Sequence, residues 1–132
     1  MNYILDTHIF LWVITNNLRK MSNRQIDIIK DIENNLYLSS ASIWEMMIKC
    51  SINKLNIPNP QEVFIKKHLG ILRANELTIN ISHSCAIINL PNIHRDPFDR
   101  MIIAQAIVEK YGIISNDRYF KDYDINLLNN KC

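Results

Sequence analysis

Glycine is almost missing, with only Gly70 and Gly112 in 132 residues. Without a glycine-rich turn there is neither a P-loop to cradle phosphates nor a dinucleotide fingerprint, so nucleotide cofactors drop out. Cysteine is scarce too. Cys50, Cys85 and Cys132 are odd in number, widely spaced and without a C-x-x-C pair, which argues against a disulfide framework and a zinc site and leaves them as buried or inert thiols. The four histidines, His8, His68, His83 and His94, lack ligand spacing of the H-E-x-x-H kind. They read as bystanders, a zinc hydrolase is disfavoured, and only His94 lies close to an acidic motif. No stretch approaches the roughly 20 apolar residues of a membrane span, and Met1-Asn2-Tyr3 does not open a basic n-region with a long apolar run behind it. The expectation is a soluble cytoplasmic protein. Charge of either sign is not in excess: the formal net charge is +2, so any nucleic-acid-binding surface has to be local.

What is present suffices for one core. Hydrophobic residues make up 48% of the chain, and no repeat, low-complexity tract or linker divides it, which predicts a single domain over residues 1–132. Asn2 to Leu5 reads as a buried strand ending on Asp6, and Ile9 to Val13 as a helical turn. Ser22 with Gln25 forms a capping box, and Ile26, Ile29 and Ile32 carry a helix to about Asn34. Leu36-Tyr37-Leu38 is a second strand, closed by Ser39 and Ser40, with Ile43, Met46, Met47 and Cys50 at helical intervals behind it. Pro58 and Pro60 bracket a turn. Val63, Phe64, Lys67 and Leu69 predict a helix up to Gly70, Leu77 to Ile81 alternates like a strand, and Ser82 to Leu90 reads as helical. Asp96-Pro97-x-Asp99 opens the clearest helix, with Phe98, Ile102, Ile103, Ala106 and Ile107 on one stripe and Gly112 at its C-terminal end. Ile113-Ile114 is then a strand leading to Ser115-Asn116-Asp117. Strands alternating with helices predict an α/β fold with a mainly parallel sheet.

Four acids stand where such a fold builds sites, yet each has an ordinary structural use. Asp6 and Asp117 directly follow apolar strands, the edge where parallel sheets bind ligands, and Asp is equally a favoured helix N-cap. Glu45 has Lys49 one turn on, and pattern alone favours an i,i+4 pair on a solvated face. In Asp96-Pro97-Phe98-Asp99, Asp96 fits an N-cap, Pro97 the first helical position and Asp99 a favourable end of the helix dipole, which leaves Asp99 open to either use. Taken together they meet a need none meets alone, because phosphodiester hydrolysis at neutral pH calls for hard divalent cations held by oxygen ligands.

The runs Leu5-Asp6-Thr7-His8, Ser39-Ser40-Ala41-Ser42-Ile43-Trp44-Glu45, His94-Arg95-Asp96-Pro97-Phe98-Asp99-Arg100 with Ile103-Ala104-Gln105-Ala106, and Ser115-Asn116-Asp117 resemble, in order and spacing, the PIN-domain ribonucleases, in particular VapC-like toxins of toxin–antitoxin pairs. The resemblance covers most of the chain. It implies a three-layer α/β/α fold, Mg2+ or Mn2+ held by Asp6, Glu45, Asp99 and Asp117, and Thr7 helping to hold the site, and it overrides the helix-pair reading of Glu45. It leaves Asp96 as a cap or a support for the ligands, ahead of a ligand itself, and Asn116 to orient Asp117 or touch phosphate. Asn53 stands where many relatives carry glycine, which concerns a turn. Lys49, Arg95, Arg100 and Arg118 adjoin the motifs and are candidates for RNA phosphate contacts, with pairing to the site's own acids or to solvent as the alternative. An RNA substrate, a cognate antitoxin and a homodimer joined by helices are the implied partners. The alternatives are an RNA-processing or structure-selective DNA nuclease of the same fold, or a non-catalytic binding module, though the latter sits badly with four intact acids. A haloacid-dehalogenase phosphatase needs a second Asp where this chain has His8.

Overall fold

The computed structural model describes residues 1–130. Five strands, β1 (Asn2–Leu5), β2 (Asn35–Ser39), β3 (Ala74–Leu77), β4 (Gly112–Ile114) and β5 (Leu127–Leu128), form one sheet in the order β3-β2-β1-β4-β5, every pair parallel. The helices are α1 (Thr7–Ile14), α2 (Asn23–Lys30), α3 (Ser40–Ser51), α4 (Gln61–Leu72), α5 (Ile81–Ala86) and α6 (Pro97–Glu109). Among the described residues no helix is long and apolar enough to cross a membrane.

Strand alternation sorts the core into two layers. Tyr3 and Leu5 of β1, Leu36 and Leu38 of β2 and Ile114 of β4 join the cluster formed with α1, α2, α3 and α4. Ile4 and Ile113, one residue out of step, join the opposite cluster with Ile102, Ile103 and Ala106 of α6. Because side chains alternate across a strand and parallel strands bury both faces, each of these short apolar runs feeds two helical layers, which is the three-layer α/β/α arrangement. The first two crossovers run from β1 through β2 to β3 on one side, and the chain then returns to place β4 on the other side of β1. That reversal opens a crevice at the C-terminal ends of β1 and β4.

Several element boundaries differ from the sequence reading. The third strand is Ala74–Leu77 rather than Leu77 to Ile81: it is an edge strand paired only to β2, with Asn75 and Glu76 exposed, so it carries no apolar signature. Ile79 and Ile81 face solvent around Asn80, whose side chain caps α5. Helix α2 stops at Lys30, not Asn34, since Asp31 turns extended and accepts from the Glu33 backbone N–H at 3.0 Å, leaving Ile32 exposed. Helix α4 runs past Gly70 and ends on Arg73 in the left-handed conformation, and α6 ends the same way on Lys110. Gly112 therefore is not a cap; a Cβ there would lie 2.8 Å from the Tyr3 ring carbons. Asn53 lies in a turn and is left-handed there, at φ 61°. Of the thiols, Cys50 is half-buried and Cys85 is exposed rather than buried, while Cys132 lies outside the described residues.

Candidate active site

The acids assemble at the crevice because the strands carrying them are neighbours. Asp6 follows β1 directly, its backbone N–H bonded to Ile114 O of β4 at 3.0 Å, so the ends of the two strands are tied together. Although Asp6 occupies the N-cap position of α1, its side chain makes no capping bond. Its Oδ2 instead accepts from the buried Ser115 hydroxyl at 2.7 Å, and Ser115 Oγ in turn accepts from the Asp117 backbone N–H at 3.0 Å. One serine thus fixes the spacing of the first and last acids. Asp117 does act as a cap, taking the Tyr119 N–H on Oδ1 at 2.9 Å, which leaves Oδ2 facing the crevice.

Asp96 caps α6, accepting from Phe98 N at 2.8 Å and Asp99 N at 3.3 Å, with Pro97 behind it. This capping holds the first turn of α6 so that Asp99, three residues in, is buried among the other acids. Glu45 also turns inward and is 6% exposed. The Lys49 pair read from the sequence exists, at 3.0 Å, but at a buried carboxylate, whose other oxygen lies 3.0 Å from Thr7 Oγ1. Thr7 also bonds Ser42 Oγ at 2.8 Å, so α1 and α3 are pinned together beside the acids.

Charge in this crevice is poorly compensated. Among the described residues, no Lys or Arg comes within 4.0 Å of Asp6, Asp99 or Asp117. Burial, followed by repulsion from Asp6, Asp96, Asp117 and Glu45, pushes the Asp99 carboxyl up to about 8. Burial raises Asp6 as well, against the opposing hydrogen bond from Ser115 and the charge of His8. Carboxylates that repel one another, three of them with no Lys or Arg among the described residues paired to them, are the donor set a hard divalent ion requires.

His94 is not a bystander. Its Nε2 lies 2.8 Å from Asp99 Oδ2 and 3.3 Å from Asp117 Oδ2. Arg100 holds its segment in place, donating to the carbonyls of Pro91, His94 and Ile87 at 3.0, 3.3 and 3.5 Å. That guanidinium therefore serves the backbone, the alternative to a phosphate contact. The Asn116 side chain accepts from Gln25 Nε2 at 2.7 Å and donates to Lys20 O at 3.0 Å, tying the loop after β4 to α2 and to the turn before it. Arg95 and Arg118 remain exposed. Two open depressions flank the acids. One of about 260 Å³ is bordered by Asp6, His8, Trp12, Asn116 and Asp117, and another of about 400 Å³ by Glu45, Lys49, Arg95, Asp96 and Phe98.

The PIN-domain family profile matches residues 3–126. The chain belongs to the PIN-domain family. No curated protein sequence matches it. Among solved structures, the PIN fold seen here is similar to that of VapBC2 from Rickettsia felis bound to a promoter DNA fragment, at TM-score 0.70 and 20% identity over 98% of each chain. It is also similar to VapBC-1 from nontypeable Haemophilus influenzae, at TM-score 0.70 and 19% identity over the whole of both chains. A third, DNA-bound VapBC from Salmonella typhimurium, gives TM-score 0.67 and 16% identity over 98% of each chain. At these identities the likeness is one of fold.

Three residues of the candidate site escaped the sequence reading. Ser42 and Ser115 sit inside motifs already singled out, three residues before Glu45 and two before Asp117, and that nearness was the available signal. His94 had only its nearness to Asp96 and Asp99, since its partner Asp117 lies 23 residues away.

Proposed function

We propose that this PIN domain is a divalent-cation-dependent endoribonuclease and the toxin of a toxin–antitoxin pair. The observation carrying this reading is the convergence of Asp6, Asp99 and Asp117, unpaired by Lys or Arg among the described residues, at the β1/β4 crevice, with Asp99 pushed up to about 8. The likeness of fold to the VapBC structures and to a toxin–antitoxin complex from Klebsiella pneumoniae, at TM-score 0.60 and 13% identity over 96% of this chain and 95% of that one, supports the cellular role and the cognate antitoxin; a homodimer in the cytoplasm is part of the same proposal.

Asp6, Asp99 and Asp117, with Glu45, fit Mg2+ or Mn2+, which when bound supplies charge neutralisation at the scissile phosphate and acidifies an attacking water. The protein's own contribution is placement. Ser115 orients the Asp6 oxygen and the Asp117 backbone, Thr7 and Lys49 orient Glu45, and Asp96 sets the first turn of α6 beneath Asp99. The exposed cations Arg95 and Arg118 lie beside the crevice and are assigned to backbone phosphates, Arg118 on the face of Tyr119 at 5.0 Å. Lys49 neutralises Glu45 and serves phosphate only at the cost of that pair.

The test incubates purified protein with structured RNA and with DNA, with and without Mg2+ or Mn2+, beside Asp6→Asn. RNA cleavage that requires the cation and falls by at least about a hundredfold in the variant is the expected outcome. Cleavage that persists in chelator, or full activity of Asp6→Asn, overturns the mechanism; cleavage of DNA alone moves the substrate assignment.

A further inference from the structure

The carboxylates do not exhaust the donors at the crevice. Among the described residues, the group of three or more His, Cys, Asp or Glu side chains with donor atoms within 4.8 Å of one another is His94, Asp99 and Asp117. The three come from separate segments: the loop before α6, the first turn of α6 and the end of the β4 loop. Nε2 to oxygen separations of 2.8 and 3.3 Å bracket the roughly 3 Å expected between neighbouring ligands on an octahedral ion with bonds of about 2.1 Å. The segment carrying the ring is also held in place. Its backbone N–H donates to the Tyr123 hydroxyl at 2.9 Å, Arg100 clamps its carbonyl, and the ring packs on Tyr119 with centroids 4.7 Å apart.

We propose that His94 ligates the site's divalent cation through Nε2 together with Asp99 and Asp117, making a mixed imidazole–carboxylate centre that favours Mn2+ over Mg2+. The inference rests on the cation-dependent reading of the same crevice. Mg2+ is a hard ion that keeps oxygen ligands and water, whereas imidazole suits first-row transition ions, so one nitrogen donor tilts selectivity without changing the site's charge. Ligation places the ring proton on Nδ1, and the Asp96 N–H contact to that nitrogen, a long one at 3.3 Å, is given up. An opposite assignment has the same starting geometry: a ring that only donates from Nε2 to the two carboxylates would fill the cation's place and compete with it. The two assignments predict opposite effects of removing the ring.

The experiment uses the full chain and Mn2+ alone, followed by calorimetry and by electron spin-echo modulation, which detects a nitrogen-14 nucleus bonded to Mn2+. The wild type should show nitrogen modulation that survives His8→Ala and disappears in His94→Ala and His94→Gln. Both His94 variants should bind Mn2+ at least about tenfold more weakly, with Mg2+ affinity changed by less than about threefold. Thermal melting of the glutamine variant checks that the fold is intact. Nitrogen modulation that remains in the His94 variants, or Mn2+ binding that is unchanged or tighter, overturns the assignment while leaving a carboxylate-bound cation standing. Failure of the wild type to bind either ion removes both readings.

Discussion

Replacing Asp99 by asparagine should stabilise the cation-free protein, and by an amount that depends on pH. In the unfolded chain this carboxyl has the ordinary value of 3.8, and in the fold it is pushed up to about 8 by burial and by four neighbouring acids. Below the lower value both states are protonated and the site costs nothing. Between the two, the unfolded chain has released a proton that the native state keeps, so stability falls by about 1.36 kcal/mol for each pH unit gained and levels off near the upper value. At pH 7 this linkage sets a ceiling of about 4 kcal/mol. Asparagine keeps the side chain's shape and an acceptor oxygen toward His94 while removing the titration, so the expected gain is about 2–4 kcal/mol. At roughly 2–4 °C per kcal/mol for a domain of this size, melting temperature should rise by about 4–15 °C. The assay is thermal or urea unfolding of both proteins in chelator from pH 4 to pH 9. The difference between them should be small at pH 4, grow toward pH 8 and then flatten. Saturating Mg2+ or Mn2+ should narrow it by stabilising the wild type more than the variant, the wild type by about 2.7 kcal/mol at a hundred times Kd. A difference that stays constant across the range, or an asparagine variant less stable at pH 7, would refute the claim that uncompensated charge is stored in this crevice.

Other perturbations separate site residues from structural ones. Arg95→Ala should leave melting unchanged and reduce the salt slope of RNA binding by about 0.7, the share of one phosphate contact on a single strand. Arg100→Ala should instead cost about 2 kcal/mol of stability, because its three carbonyl partners lose a charged donor; equal salt-slope losses in the two variants would contradict the division drawn between them. Gly112→Ala should cost about 1–3 kcal/mol in urea unfolding, since its Cβ meets the buried Tyr3 ring at 2.8 Å and Asn126 Nδ2 at 3.1 Å.

The two-layer core was readable because its strands are central. β1, β2 and β4 are buried on both faces, so they appear in the sequence as short unbroken apolar runs. The edge strands had no such mark: β3 exposes Asn75 and Glu76, and β5 is two residues long, recognisable only through its pairing with Ile113 and Ile114. Helix ends were misplaced for a reason set by composition. The left-handed positions at which chains commonly spend glycine are filled here by Asn16, Asn53, Arg73 and Lys110, so Gly70 and Gly112 pointed to ends that lie elsewhere.

Within the site, the sequence could say which acids were candidates but not which structural uses excluded a functional one. Capping and function turn out to divide between residues, and even between the two oxygens of one residue. Asp96 caps α6; Asp6 stands in a cap position without capping; Asp117 caps with Oδ1 and leaves Oδ2 toward His94. Glu45 keeps its helical pair with Lys49 and is buried against Thr7 all the same. These are tertiary facts, because the bond that sets Asp6 relative to Asp117 comes from Ser115, 109 residues along the chain, and is created only when β4 docks beside β1. His94 was hidden by the same circumstance. Spacing rules for metal-binding histidines describe motifs such as H-E-x-x-H on one helix; this ring has Asp99 five residues on in no such pattern, and meets Asp117 only after α6 and β4 bring the chain back.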